Sequence, residues 1–312
     1  MAVNLKTRFI LLLIPASLLL PRLLCGQSSD SVKPDTIGIR SGRLTGVLVA
    51  QGTLYAASLG GLYFVWYKDY PQSTFHLFDD NNEWMQIDKC GHAISSYYIS
   101  RIGYSANRWS GVKEKPAIWY GGLLGFAYML NIEILDGFSS EWGFSLGDFT
   151  ANTMGSLIFI GQQLAWHEQR FLLKYSFHQT RYAQYRPDLM GDNLIQNMVK
   201  DYNGHSYWIS GNISSFLPER SKFPKWLNIA LGYGAEGMTG AFSNSPDHSG
   251  KHIPHFTRYR KFFLSLDVDL TRIPTRSKVL KGIFTVIGFV KIPSPTLEVN
   301  TLGQFKAHTF YY

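Results

Sequence analysis

The chain has 312 residues, with 30 Lys and Arg against 22 Asp and Glu and a formal net charge of +8. Hydrophobic residues make up 45%, aromatics 15% and charged residues only 17%, with 29 glycines; this excludes a disordered chain and favours an envelope or membrane setting over an ordinary soluble one. No basic run or recognisable module accompanies the positive charge, so no nucleic-acid partner is expected, and two cysteines exclude a disulfide framework or a Cys-rich metal site.

Residues 1–27 read as a secretory signal. Lys6 and Arg8 precede an apolar core, FILLLIPASLLL, which Pro15 interrupts and Pro21 and Arg22 end; it is too short for a comfortable membrane span. Cleavage near Gly26 or Gln27 is favoured over a lipoprotein leader lipidated at Cys25, because Leu24 is bulky where lipoprotein processing wants a small residue. Residues 28–42 form a polar linker. After simple cleavage Cys90 has no second cysteine to pair with.

From 43 to 168 the chain is Gly-rich and apolar over helical lengths. Leu44–Tyr67, Asp88–Tyr104, Ala117–Leu135 and Gly147–Trp166 are the four predicted helices. Gly46, Gly60, Gly121, Gly122, Gly125, Gly155 and Gly161 recur within them, as small residues do where helix backbones approach closely. Four spans of the inner membrane would leave Lys68 as the one basic residue of the inward loops and put Arg108, Lys113, Lys115, Arg170 and Lys174 outside. That inverts the positive-inside bias. The periplasmic side of the envelope is therefore expected, with the outer membrane favoured over the inner.

Residues 169–312 change period. Phe262, Leu264, Leu266, Val268 and Leu270 alternate with Phe263, Ser265, Asp267 and Asp269, a two-residue repeat of strand type. Similar alternation runs through Phe171–Phe177, Tyr207–Ile213, Ile229–Tyr233, Leu297–Thr301 and Phe305–Tyr311. The apolar and basic stretch near 275–292 reads as an amphipathic helix that Pro293 stops. The expected class is α+β: a Gly-rich apolar bundle of about four helices, then an antiparallel β-rich region, with a partial or small barrel among its forms.

The chemistry lies in the first half. Asp88, Lys89 and His92 open the second helix, with Asp88 and His92 four apart on one face. Glu133 and Asp136 end the third. Ser145, Asp148 and Asn152 open the fourth, where Ser145 or Asp148 can cap free N–H groups. Carboxylates, a lysine and an imidazole are costly in apolar segments unless they pair, so Lys89 is expected against Glu133 or Asp136, and His92 against Asp148. The dispersed His76, His167, His178, His205 and His308 lack ligand spacing, and His248, His252 and His255 sit in a polar loop. Cys90 reads as a small buried residue rather than a reactive thiol.

The DK-x-x-H helix start, the acidic helix end and the aromatic-Ser-x-x-Asp start resemble the YfiM-like family of predicted periplasmic lipoproteins, a domain family of unknown function, over about residues 85–165. Asp88, Lys89, His92, Glu133, Asp136, Ser145, Asp148 and Gly155 fall on its pattern. The segments LSLDVDLTRI and KIPSPTLE resemble the long form of Bacteroidetes-type bacteria, and DKCGHA with the later EILDGFSSEWGFSLGDFTANTMG is more remotely similar to VanZ-like membrane proteins. Neither resemblance implies a settled reaction.

Two functions follow. The first is an exported, lipoprotein-like envelope protein, structural or ligand-binding at a membrane, with a membrane lipid or envelope component as partner and no cofactor. The second is a membrane-embedded enzyme acting on lipid or cell-wall precursors through His92, Glu133 and Asp148, residue types that serve general acid–base work or a divalent metal.

Overall fold

A computed structural model describes residues 38–68 and 70–311; the signal segment 1–27 and Cys25 lie outside them. The described chain is α+β. Its long helices are α1 (Ser41–Leu62, continued by a π turn at Tyr63–Tyr67), α2 (Ile87–Trp109), α3 (Glu114–Gly137) and α4 (Leu146–Trp166). Strand β1 (Phe171–Phe177) follows, then the short helices α5 (Pro187–Met190) and α6 (Leu194–Lys200). Next come β2 (His205–Asn212), β3 (Leu227–Glu236), a small hairpin β4 (Asp247–His248) and β5 (Lys251–His252), and β6 (Tyr259–Val268). The amphipathic segment forms α7 (Lys278–Ile287), before β7 (Ser294–Asn300) and β8 (Phe305–Tyr311).

Contacts group the chain into two units. The first takes residues up to Asp80, His92–Gln169 and Thr275–Val286; the second takes Asn81–Gly91, Arg170–Pro274 and Ile287–Tyr312.

In the first unit the helices meet backbone to backbone. A Cβ on Gly125 of α3 would stand 2.1 Å from the Ser96 carbonyl oxygen, and one on Gly155 of α4 would stand 2.1 Å from that of Ala93. Only hydrogen fits there, so α2 is pinned between α3 and α4 at these crossings. Gly46, Gly60 and Gly161 have nothing within 4 Å of a built Cβ; the expectation that their smallness serves helix contact is corrected. A seam of hydroxyls fills the crossing: Ser96 Oγ donates to the Asn152 carbonyl at 2.7 Å, Ser100 Oγ to that of Gly122 at 2.6 Å, and both lie within 3.0 Å of Ser156 Oγ. Among the described helices α3 is long and apolar enough to cross a membrane, by length and composition.

Among the described residues the second unit holds a six-stranded antiparallel sheet of order β1-β2-β3-β6-β7-β8, in which β1 and β8 do not pair, so these strands form no closed barrel. Its alternation is inverted. Leu231, Leu264 and Leu297 stand in one cross-strand row and are 61%, 47% and 43% exposed. The opposite face carries Ser176, Ser206, Ser210, Asn212, Asn228 and Thr296, all buried.

That polar face is the inside of a curl. Strands lie about 4.8 Å apart, so β2 and β8 stand roughly 19 Å apart along a flat sheet. Yet Tyr311 Oη on β8 is 3.3 Å from Ser206 Oγ on β2, and Lys174 Nζ on β1 is 2.7 Å from Asp267 Oδ2 on β6. The free edge of β1 is covered from residues 289–291: Tyr175 N donates to the Phe289 carbonyl at 2.8 Å and Lys291 N to that of Tyr175 at 2.9 Å.

The run into α2 is strained. Trp84, Met85 and Gln86 have φ of 44°, 52° and 64°, three successive left-handed residues without a glycine. Burial of Trp84 and Ile87 with Tyr182, Met190 and Met238 offsets that cost. Trp84 N donates to the Ala241 carbonyl at 2.9 Å, and Tyr233 Oη donates to that of Met85.

Gly155→Ala is expected to destabilise the protein by about 2 kcal/mol or more, since backbone must move to admit the methyl group; thermal melting of the purified chain in detergent measures it. Lys174→Met leaves the Asp267 carboxylate buried without its cation and is expected to cost about 3–5 kcal/mol in the same measurement.

Candidate functional site

Three elements of the first unit bring His92, Glu133, Ser145, Asp148 and Asn152 together. His92 lies in α2. Glu133 sits near the C-terminal end of α3, whose close crossing with α2 at Gly125 brings that end inward. Ser145 caps α4, its Oγ accepting from Asp148 N at 3.0 Å, and this fixes Asp148 and Asn152 one turn apart on the cap's inner side.

The imidazole is the centre. Nδ1 of His92 is 3.3 Å from Glu133 Oε1 and 3.2 Å from Asn152 Oδ1, and Nε2 is 3.8 Å from Asp148 Oδ1. Both ring nitrogens therefore face acceptor oxygens. Ser145 N donates to Glu133 Oε2 at 3.4 Å, and Ser145 Oγ donates to Asp80 Oδ1 at 2.5 Å. Glu133 and Asn152 are 1% exposed, whereas the His92 side chain is 22% exposed. The amide nitrogen of Asn152 is buried with no hydrogen-bond partner. One ligand atom from each of His92, Glu133 and Asp148 lies within 4.8 Å of the others, a set that suits a divalent cation or an acid–base pair.

Asp136 is held by Tyr67, whose Oη donates to Oδ1 at 2.6 Å, and Tyr67 packs edge-on against Trp142. Burial pushes the Asp136 carboxyl up to about 6, although the Tyr67 hydrogen bond opposes the shift. Lys89 Nζ is 3.0 Å from Asp88 Oδ2. Cys90 beside them is pushed up to about 11 by burial and then by Asp88, so it stays a thiol near neutral pH. His248 meets Asp188 at 3.2 Å and His252 meets Asp247 at 3.3 Å, separate pairs rather than one ligand set.

Sequence reasoning missed Asp80, Tyr67 and the serine seam. Ser96 and Ser100 are four apart on an apolar helix, a spacing that marks a polar stripe. Asp80 stands in an Asp-Asp-Asn-Asn run that reads equally well as a turn.

Residues 76–160 match the model of a family described as predicted periplasmic lipoprotein (DUF2279). No curated protein matches the chain. No solved structure matches it either.

Asp136 sets a pH dependence. Its folded value lies above the ordinary 3.8, so its contribution is fully present below about pH 4 and is lost as pH rises through about 6, on the order of 3 kcal/mol. Asn at this position keeps the acceptor for Tyr67 and cannot ionise. Asp136→Asn should therefore melt higher relative to the native chain at pH 7.5 than at pH 4.5; an equal difference at both would refute the burial argument.

Proposed function

We propose that this chain is an exported protein of the cell envelope, facing the periplasm and seated against a lipid bilayer, with the outer membrane favoured. The observation that carries the reading is the inverted sheet. Around the buried Trp208, Ala230 and Phe263, the enclosed face carries hydrogen-bonded serines and asparagines and a lysine–carboxylate pair. Lys174 with Asp267, Ser210 with Asp267, and Asn212 with Asn228 satisfy one another inside the curl at 2.6–2.7 Å. The outward rows are aliphatic, and hydrocarbon is the medium in which apolar-out, polar-in alternation is stable.

Further features support the placement. Tyr175, Tyr207 and Tyr233 form one cross-strand row on the outward-facing side of the sheet. Tyr175 Oη donates to the Met198 carbonyl at 2.9 Å, an aromatic ring with a bonded polar tip as in interfacial tyrosines, while Tyr207 and Tyr233 pack against the Trp84 and Ile87 cluster. Helix α7 exposes Val279, Leu280, Ile283 and Ile287 beside Lys278 and Lys281, the composition of a helix lying on a membrane surface. The secretory leader read at 1–27 and the printed description of the family matched at 76–160 agree with a periplasmic address. Turnover at His92, Glu133 and Asp148 gains no observation of its own, and the cluster is read as a binding or bracing centre.

Brominated lipid tests the seat. Single cysteines replacing Leu231, Leu297 or Ser243 are labelled with a fluorophore in the full chain, in vesicles of phosphatidylethanolamine and phosphatidylglycerol. Labels at 231 and 297 should be quenched by the bromines and the label at 243 spared. Equal fluorescence at all three positions would rule out a lipid-facing sheet.

A further inference from the structure

We propose that His92, Glu133 and Asp148 hold one divalent transition-metal ion, of the zinc or manganese type, with Asn152 directed at a solvent molecule bound to it. The inference does not depend on how the sheet meets lipid.

The donor set comes first. One imidazole and two carboxylates form a mixed nitrogen–oxygen set, which favours zinc, manganese or iron over calcium, whose sites are built from oxygen alone. Three protein donors leave at least one position open. Ligand atoms sharing such an ion stand about 3–4 Å apart, given bonds of about 2.0–2.2 Å. The present spread of up to 4.8 Å is closed by a small rotation of the partly exposed imidazole.

Asn152 is the independent observation. Its side chain is at the cluster, with Oδ1 3.2 Å from His92 Nδ1, yet its Nδ2 is buried without a hydrogen-bond partner. An amide donor left unsatisfied in the interior costs about 1–3 kcal/mol. The oxygen of a metal-bound water, which keeps a lone pair, would accept from it. A bracing role for the cluster gives this donor nothing to do.

The scaffold suits a metal centre as well. Glu133 is oriented by the Ser145 N–H, and the Ser145 hydroxyl that caps α4 also reaches Asp80. Such supports around the ligands fix their direction, as in metal centres generally. Metal ligands must be deprotonated to bind, so affinity should fall as the pH is lowered.

The test uses the full chain in detergent, stripped with chelator and titrated separately with Zn2+, Mn2+, Co2+ and Ca2+ by calorimetry. One equivalent of Zn2+ or Mn2+ should bind and raise the melting temperature, and Ca2+ should bind at least about 10-fold more weakly. Co2+ should give visible d–d absorption that Zn2+ abolishes. His92→Ala and Glu133→Gln should each weaken binding by about 100-fold or more, and Asn152→Ala by about 10-fold. A folded, stripped chain that takes up none of these ions overturns the proposal. So does binding that His92→Ala and Glu133→Gln leave unchanged, which would place the ion elsewhere. Should either variant fail to fold, the native chain decides alone, through its stoichiometry and cobalt spectrum.

Discussion

Most polar groups enclosed in this molecule find their partners within the protein, and that requirement shapes both units. In the helical unit it is met by the serine seam of Ser96, Ser100 and Ser156 and by the His92 centre. In the sheet unit it is met by lysine–carboxylate pairs and an asparagine–serine chain across the inner face. Hydrogen bonds of this kind contribute only about 1 kcal/mol each, but leaving one unmade costs more. The inward groups are therefore hard to replace singly.

Close approach and curvature are the two devices that make such interiors possible. Hydroxyl-to-carbonyl bonds between helices need backbones near enough for a short side chain to reach, and Gly125 and Gly155 supply that nearness by omitting a Cβ where one cannot fit. In the sheet the same service comes from curling, which carries Lys174 to Asp267 across the intervening strands and Tyr311 to Ser206. A flat sheet would have left these groups facing water or unpaired. Once curled, the sheet turns its aliphatic rows outward, so the polar interior and the apolar exterior have a single cause.

The sequence made the elements legible but not their sense. Helical length and apolar content located α1 to α4 within a few residues, and the two-residue period located each strand of the six-stranded sheet, because these signals are local. Which face of a strand turns inward is not local. Phe262, Leu264 and Leu266 alternate just as a half-buried strand in water does, and only the Lys174–Asp267 pair, distant in sequence, shows that Asp267 faces the enclosed side. At the site, the four-residue spacing of Asp148 and Asn152 was readable as one face of a helix. The meeting of that face with Glu133 depended on where α3 crosses α2. Asp80 lies in a turn-like Asp-Asp-Asn-Asn run and Tyr67 at the last position of the first predicted helix, and no spacing connected either to the site.

Access to the centre is unequal, and this bears on what it can hold. Glu133 and Asn152 are sealed at 1% exposure, while His92 keeps 22% of its side chain open. A ligand must therefore arrive past the imidazole and stop against the carboxylates, an order that admits an ion or a water molecule far more readily than an extended headgroup.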